Sequence, residues 1–330
     1  MGGNGKKAHV ELALQTTNDT ILRCVMVFGE GVFEGESHVV HPKLRELSSE
    51  LRVPLFPPRD VPIDLHIKAL VGSRTGQHYH VFELTRQLPR FATYAPVDPL
   101  SAPEPHGKAT FLLHERLPRI AMWLNQTFLF PAEIIASPGQ VLEKHFLGLR
   151  TSLPLILRIG IDGKAEVLTD DMDIAGDVIQ SLASFLNLED LQVHADFPSE
   201  AQKIETLLQK ADELQAVRDR LSTDMADNAG IIRTLVIRAE DARILRDWAS
   251  MKKWYLELAG ANRELVNAYT IRYTNSTELS ETLKQVNQIV QRAAKLRVGK
   301  YKALVVNGCR AAIRDSNTNL LVRVMMNGEA

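Results

Sequence analysis

IETLLQKADELQAVRDRLSTDMADNAGIIRTLVIRAEDA (204–242) is the stretch whose reading decides the architecture. Ile204, Leu207, Ala211, Leu214, Leu221, Met225, Ile232, Leu235, Ala239 and Ala242 keep one heptad register through it. Arg218 and Asn228 stand in the same register as polar intrusions, the kind of residue that sets pairing register rather than adding affinity. An apolar stripe sustained over about six heptads reads as a coiled coil or a long helical hairpin. A helix of this length cannot bury its stripe within its own turns, so it needs a returning helix or another chain. The sequence leaves both open. The ten residues Ile204, Leu207, Ala211, Leu214, Arg218, Leu221, Met225, Asn228, Ile232 and Leu235 are therefore the candidate partner interface.

Working outward, Pro198 opens a helical region over 198–330. The first helix is expected to run to about residue 270, on the order of 105 Å. YTNST (273–277) is the expected chain reversal. Leu279, Leu283, Val286, Val290, Ala293 and Leu296 make a returning helix that ends near Gly299, and shorter helices follow near 303–314 and 317–327. Arg292, Lys295, Arg297, Lys300 and Lys302 form a local basic cluster. It reads either as a solvated helix end, where cations suit the dipole, or as a contact for an acidic partner or anionic lipid.

Upstream, about 107–197, the periods mix. Residues 108–113 read as a strand and 116–128 as a helix. Asp162-Gly163 joins two alternating runs (153–161 and 164–168) as a hairpin. Residues 170–188 carry Ile174, Val178, Leu182 and Phe185 on one helical stripe, and 191–197 alternate again. The order β-α-β-β-α-β predicts a small sheet with helices on one face. Residues 7–97 hold six short alternating runs, at 9–14, 20–28, 37–40, 51–55, 63–71 and 78–84. Their spacing of about ten residues is that of a β-sandwich or barrel. Pro96, Pro99, Pro103 and Pro105 place the break between these two regions.

The 330 residues carry a net charge of −1, with 24% charged and 45% hydrophobic residues. That balance predicts a folded multidomain α+β protein without a global field for nucleic acid. Two cysteines, Cys24 and Cys309, are too few for a disulfide framework and fit a reducing compartment. The start, MGGNGKK, has no apolar core, so no signal peptide is expected, and no apolar run is long enough to span a membrane.

Chemistry-bearing patterns are few. His38/His41 and His78/His80 have pair spacings but no third ligand, so no metal is expected. Gly29, Gly31 and Gly35 miss the dinucleotide spacing and lie among acidic residues. Asp170, Asp171 and Asp173 fit a helix start better than a cation site. No nucleophile elbow or reactive cysteine pair occurs. No cofactor and no catalytic residue are expected. Trp123 lies in the 116–128 helix and is read as core, with a peptide contact as the alternative.

Several long segments carry a resemblance. They include TNDTILR (17–23), GESHVVHP (35–42), VPIDLHIKA (61–69), HVFELTRQLPRF (80–91), TDDMDIAGDVIQSLASF (169–185), EDLQVHADFP (189–198) and RAAKLRVGK (292–300). In this order they resemble the Bardet–Biedl syndrome protein 2 family of BBSome subunits. The resemblance implies a β-sandwich similar to clathrin-adaptor ears, an α/β platform, then a helical hairpin with a helical tail. The family's N-terminal β-propeller and short coiled coil have no counterpart in these residues. It further implies a non-enzymatic adaptor that moves membrane proteins into and out of cilia. Its implied partners are Bardet–Biedl syndrome proteins 7 and 9, membrane-protein cargo tails and, through the complex, the ciliary membrane surface. Its implied location is the cilium, the ciliary base and the cytoplasm. Direct recognition of cargo tails by the ear or platform is the alternative.

Overall fold

The computed structural model describes residues 8–76, 78–99, 103–136 and 139–328, and within them every side chain except those of 223–229. The chain forms two units, Met1–Asp196 and Phe197–Ala330.

The first unit opens with six strands: β1 (Val10–Gln15), β2 (Ile21–Phe28), β3 (Ser37–Val40), β4 (Glu50–Leu55), β5 (Ile63–Gly72) and β6 (Tyr79–Leu88). They form two antiparallel sheets, one in the order β3-β2-β5-β6 and one of β1 and β4 alone. Alternation decides which side chains meet. In β5, Ile63, Leu65, Ile67 and Ala69 are buried while Asp64 and His66 are exposed. They pack with Val25, Val27, Val53 and Leu55 in the sandwich core, each large side chain stabilising by about 1.5–3 kcal/mol. Pro54 sits in β4, an edge strand of its two-stranded sheet, the kind of position where proline is tolerated. Gly72 is needed at the β5–β6 reversal. A Cβ there would lie 2.7 Å from the His78 carbonyl.

The platform follows: β7 (Tyr94–Pro96), β8 (Lys108–Leu112), α1 (Leu117–Thr127), β9 (Leu142–Gly148), β10 (Pro154–Ile159), β11 (Lys164–Leu168), α2 (Met172–Leu186) and β12 (His194–Asp196). Its antiparallel sheet runs β12-β8-β11-β10-β9-β7. Asp171 caps α2, its carboxylate accepting from Asp173 N at 2.9 Å, and Asn187 closes the helix in the left-handed conformation. Gly163 takes the positive φ (77°) that the Asp162-Gly163 turn requires. Phe146, Phe128 and Phe91 stack at centroid distances of 4.4 and 4.9 Å. Trp123 is core, fully buried and donating to Ser181 Oγ at 3.1 Å.

Two strands went unread in the sequence. Leu142–Gly148 lacks clean alternation because Lys144 stands on the same face as the buried Leu142 and Phe146, while His145 and Glu143 face the other way. Tyr94–Pro96 pairs with β9, so the platform sheet begins ahead of the proline stretch in which the sequence placed the break.

Sandwich and platform are clasped. The Asp60 carboxylate accepts from Thr93 Oγ1 at 2.7 Å and pairs with Arg150, while Arg90 reaches Asp177 of α2 at 2.5 Å. The second unit holds four helices: α3 (Pro198–Ile244), α4 (Trp248–Lys295), α5 (Lys300–Arg314) and α6 (Thr318–Asn327).

Candidate functional site

Helices α3 and α4 have 47 and 48 residues, each about 70 Å long at 1.5 Å per residue. They lie antiparallel, as their cross-contacts require. Lys210 meets Glu278 at 2.6 Å, Asn275 Nδ2 donates to Leu214 O at 3.0 Å, and Tyr255 donates to Glu240. Near the tip the Arg238 guanidinium lies 5.1 Å from the Trp254 ring centroid.

The heptad stripe is the seam of this hairpin. Ile204, Ala211, Leu235, Ala239 and Ala242 are buried, and Leu207, Leu214, Leu221 and Ile232 are half-buried. Leu279, Val286, Ile289, Val290 and Ala293 supply the buried side of α4. Arg218 points outward, exposed. Met225 and Asn228 have side chains outside the described residues. The stripe is thus occupied by the chain's own returning helix.

The reversal lies at residues 245–247, not at 273–277. Arg246 adopts a positive φ of 56°, and the Asp247 carboxylate caps α4 by accepting from Ser250 N at 3.1 Å. YTNST stays helical, with its two threonine hydroxyls back-bonded within the helix. Thr274 and Thr277 each donate to the carbonyl four residues back, at 3.1 and 3.0 Å.

The tail is fastened by one buried charge. Arg297, 0% exposed, donates through Nη1 to Ala293 O (2.8 Å) and Met325 O (2.9 Å), and through Nη2 to Met326 O (2.6 Å). These carbonyls belong to the last turns of α4 and α6, the ends whose oxygens have no partner further along the helix and carry the negative dipole pole. Burial pushes the guanidinium down to about 10, so it remains charged at neutral pH, and it pushes the neighbouring Cys309 thiol up to about 11. The predicted basic cluster therefore does not form one surface. Arg297 is inside because it neutralises two helix ends. Arg292 and Lys295 are half-buried, Arg292 lying 3.9 Å from Glu200, and Lys300 and Lys302 are exposed at the start of α5.

Sequence reading missed a second apolar row on the hairpin. On α4, Trp248, Tyr255, Val266, Tyr269 and Tyr273 are all exposed, Tyr269 by 61%, and recur in steps of seven, eleven, three and four. Val217 and Ile231 on α3, and Leu245 just past its end, are exposed at multiples of seven. The aromatic heptad of 255–273 is the signal that could have found it, but the more regular aliphatic seam overshadowed it. Among the described residues no group of three His, Cys, Asp or Glu converges on a cation position, and no helix is long and apolar enough to cross a membrane.

Four family descriptions match in succession: BBS2 GAE domain over residues 4–91, BBS2 platform domain over 94–186, BBS2 hairpin over 198–295 and BBS2 C-terminal helix bundle over 300–325. The chain is 51% identical over 332 residues to the mouse protein named BBSome complex member BBS2 and 49% identical to the human one. It is 26% identical over 331 residues to the Caenorhabditis elegans BBSome complex member bbs-2. The chain is covered over 97–100% of its own length but spans only 46% of each of these relatives. With its ear, platform, hairpin and helix bundle matched in order, the chain belongs to the BBS2 family.

Proposed function

We propose that this chain is a non-enzymatic scaffold subunit of a BBSome, and that its hairpin joins it to other subunits. The observation that carries this reading is the exposed aromatic row of α4, with Trp248, Tyr269 and Tyr273 bare to solvent beside a seam that is already filled. Aromatic side chains at heptad steps supply large contact area at low entropic cost, and such residues anchor protein interfaces. An apolar row of this length on a helix whose own partner lies elsewhere marks an interaction surface. The relatives' name supports membership in that complex. Bardet–Biedl syndrome proteins 7 and 9 are the partners that the family resemblance brings forward. Within the complex the chain serves the trafficking of membrane-protein cargo at the cilium and its base, peripheral to the membrane.

The test is co-expression of the chain with Bardet–Biedl syndrome protein 7, followed by affinity purification. Substituting Trp248, Tyr269 and Tyr273 with Lys is expected to abolish co-purification while leaving the hairpin helical by circular dichroism. Undiminished co-purification would remove this row as the interface. Charged residues at Leu207 and Leu214, in contrast, are expected to melt the hairpin itself.

A further inference from the structure

The sandwich is incomplete on one side. The four-stranded sheet ends at β6, and the facing sheet has only β4 and β1. Leu65, Ile67 and Ala69 of β5 are buried in the sandwich core. Their cross-strand neighbours on β6 are Arg86, Leu84 and Phe82, which share the same inner face. Yet Leu84 is 42% and Phe82 51% exposed. Among the described residues no strand of the facing sheet covers the inner face of β6, because that sheet ends at β1.

Two adjoining cavities occupy that place. One, of about 620 Å³, is lined by Leu14, Leu22, Val71, His80, Phe82 and Leu84. The other, of about 410 Å³, runs along the whole of β1 and is floored by Leu65, Ile67, Leu84 and Arg86. They share Leu14 and Leu84, so they form one groove with an apolar floor. One wall is the outer edge of β1, whose ladder partners among the described residues lie on β4. A strand edge of this kind is a template for another extended segment. β1 is six residues long, about 20 Å at 3.3 Å per residue, enough for a segment to point alternate side chains down onto Phe82 and Leu84.

The charge of the groove selects its occupant. Among the described residues Arg86 meets no carboxylate; its hydrogen bond is a long one (3.4 Å) to the adjacent Thr85 carbonyl. His80 lies on the same wall. The acid bordering the groove, Glu11, is ion-paired at 3.1 Å with Arg52 on β4. The groove is thus apolar with an uncompensated cation at one end.

We propose that this groove docks an extended segment of a partner protein. The segment carries apolar residues at alternate positions and a carboxylate next to them, and it adds to the edge of β1 as a third strand. Its apolar side chains cover Phe82 and Leu84, and its carboxylate meets Arg86. The surface is separate from the hairpin row, so the two readings succeed or fail independently.

The probe is a labelled peptide, Asp-Asp-Leu-Thr-Val-Thr-Leu-Asn, titrated with the full chain and followed by fluorescence anisotropy. A second peptide has Lys in place of both Asp. Saturable binding of the acidic peptide is expected, weakened at least tenfold by Arg86→Glu. The Lys peptide is expected to prefer the R86E protein by a similar factor. Hydrogen exchange should slow at the β1 amides and not at those of β6. Arg86 is exposed, so the charge swap does not depend on a core change, and circular dichroism checks the fold. Three results would overturn the proposal: no saturation at millimolar peptide, equal affinity for both peptides in both proteins, or protection at β6 alone. A concentration-dependent dimer abolished by Leu84→Asp would also overturn it, by placing a second copy in the groove.

Discussion

Replacing Arg297 by Met removes the charge that ties α4 to α6 and leaves most of the side-chain volume. Three carbonyl oxygens then lose their donor: Ala293 O, Met325 O and Met326 O. A buried acceptor left unpaired costs about 1–3 kcal/mol. Part of that is returned, because the guanidinium no longer has to be desolvated and the thioether packs beside Cys309 and Met325. The net loss is expected to be about 3 kcal/mol, a large share of the roughly 5–15 kcal/mol that holds a domain together. Urea unfolding followed by circular dichroism measures the total. Hydrogen exchange at the α6 amides shows whether the tail lets go first. Arg297→Lys should fall between the two, since one ammonium cannot reach three carbonyls on two helices with the planar fork's geometry. Were Arg297 a solvated member of a basic patch, R297M would change stability by no more than about 0.5 kcal/mol. A loss below about 1 kcal/mol with unchanged α6 protection would refute the reasoning.

Other consequences are as direct. Glu166 is buried on β11, and the Lys108 ammonium at 2.8 Å, with Lys164 at 3.0 Å, holds its carboxyl down to about 2 from an ordinary 4.5. A depressed folded pKa means that its stabilisation is full above pH 4.5 and is lost as pH falls toward 2. The size is on the order of 1–2 kcal/mol once screening at the half-exposed lysines is allowed for, and Glu166→Gln should flatten that part of an acid titration followed by tryptophan fluorescence. Cys309, buried with its thiol raised, should resist a thiol reagent at pH 8 until urea opens the tail, while the half-exposed Cys24 reacts in the native state; mass spectrometry of labelled peptides separates them. Gly328 closes α6 at φ 81°, and a Cβ there would stand 3.0 Å from Arg297 Nε. Gly328→Ala is therefore expected to lower stability by about 1–2 kcal/mol through strain at φ > 0, read as a lower urea midpoint.

Local patterns carried most of the fold. The ear strands follow from period-two alternation, and the Asp162-Gly163 turn and the Asp171 cap are chemistry written into neighbouring residues. What escaped reading was decided at long range. The hairpin turns at 245–247 without a glycine or proline, at an arginine that accepts positive φ because the helices on either side are already paired. YTNST looked like a break, yet Asn275 spends its amide on Leu214 O across the seam. The charge of Arg297 was visible, but not the two helix ends that draw it inside. The bare face of β6 was illegible for a different reason. Alternation predicts which residues face inward; it is silent on whether a second layer covers them.

Asn275 also bears on the order in which the hairpin forms. It meets Leu214, 31 residues before Leu245, and itself lies 30 residues after it. Pairing that starts at the turn closes the shortest loops first and proceeds away from it, since loop-closure entropy rises with separation. A chain zipping out of phase reaches Asn275 about two-thirds of the way along and must place its buried amide away from the Leu214 carbonyl. The fault is met while about a third of the seam is still open and can be undone cheaply. It is met before Arg297 draws α6 onto the base and makes the arrangement costly to reverse.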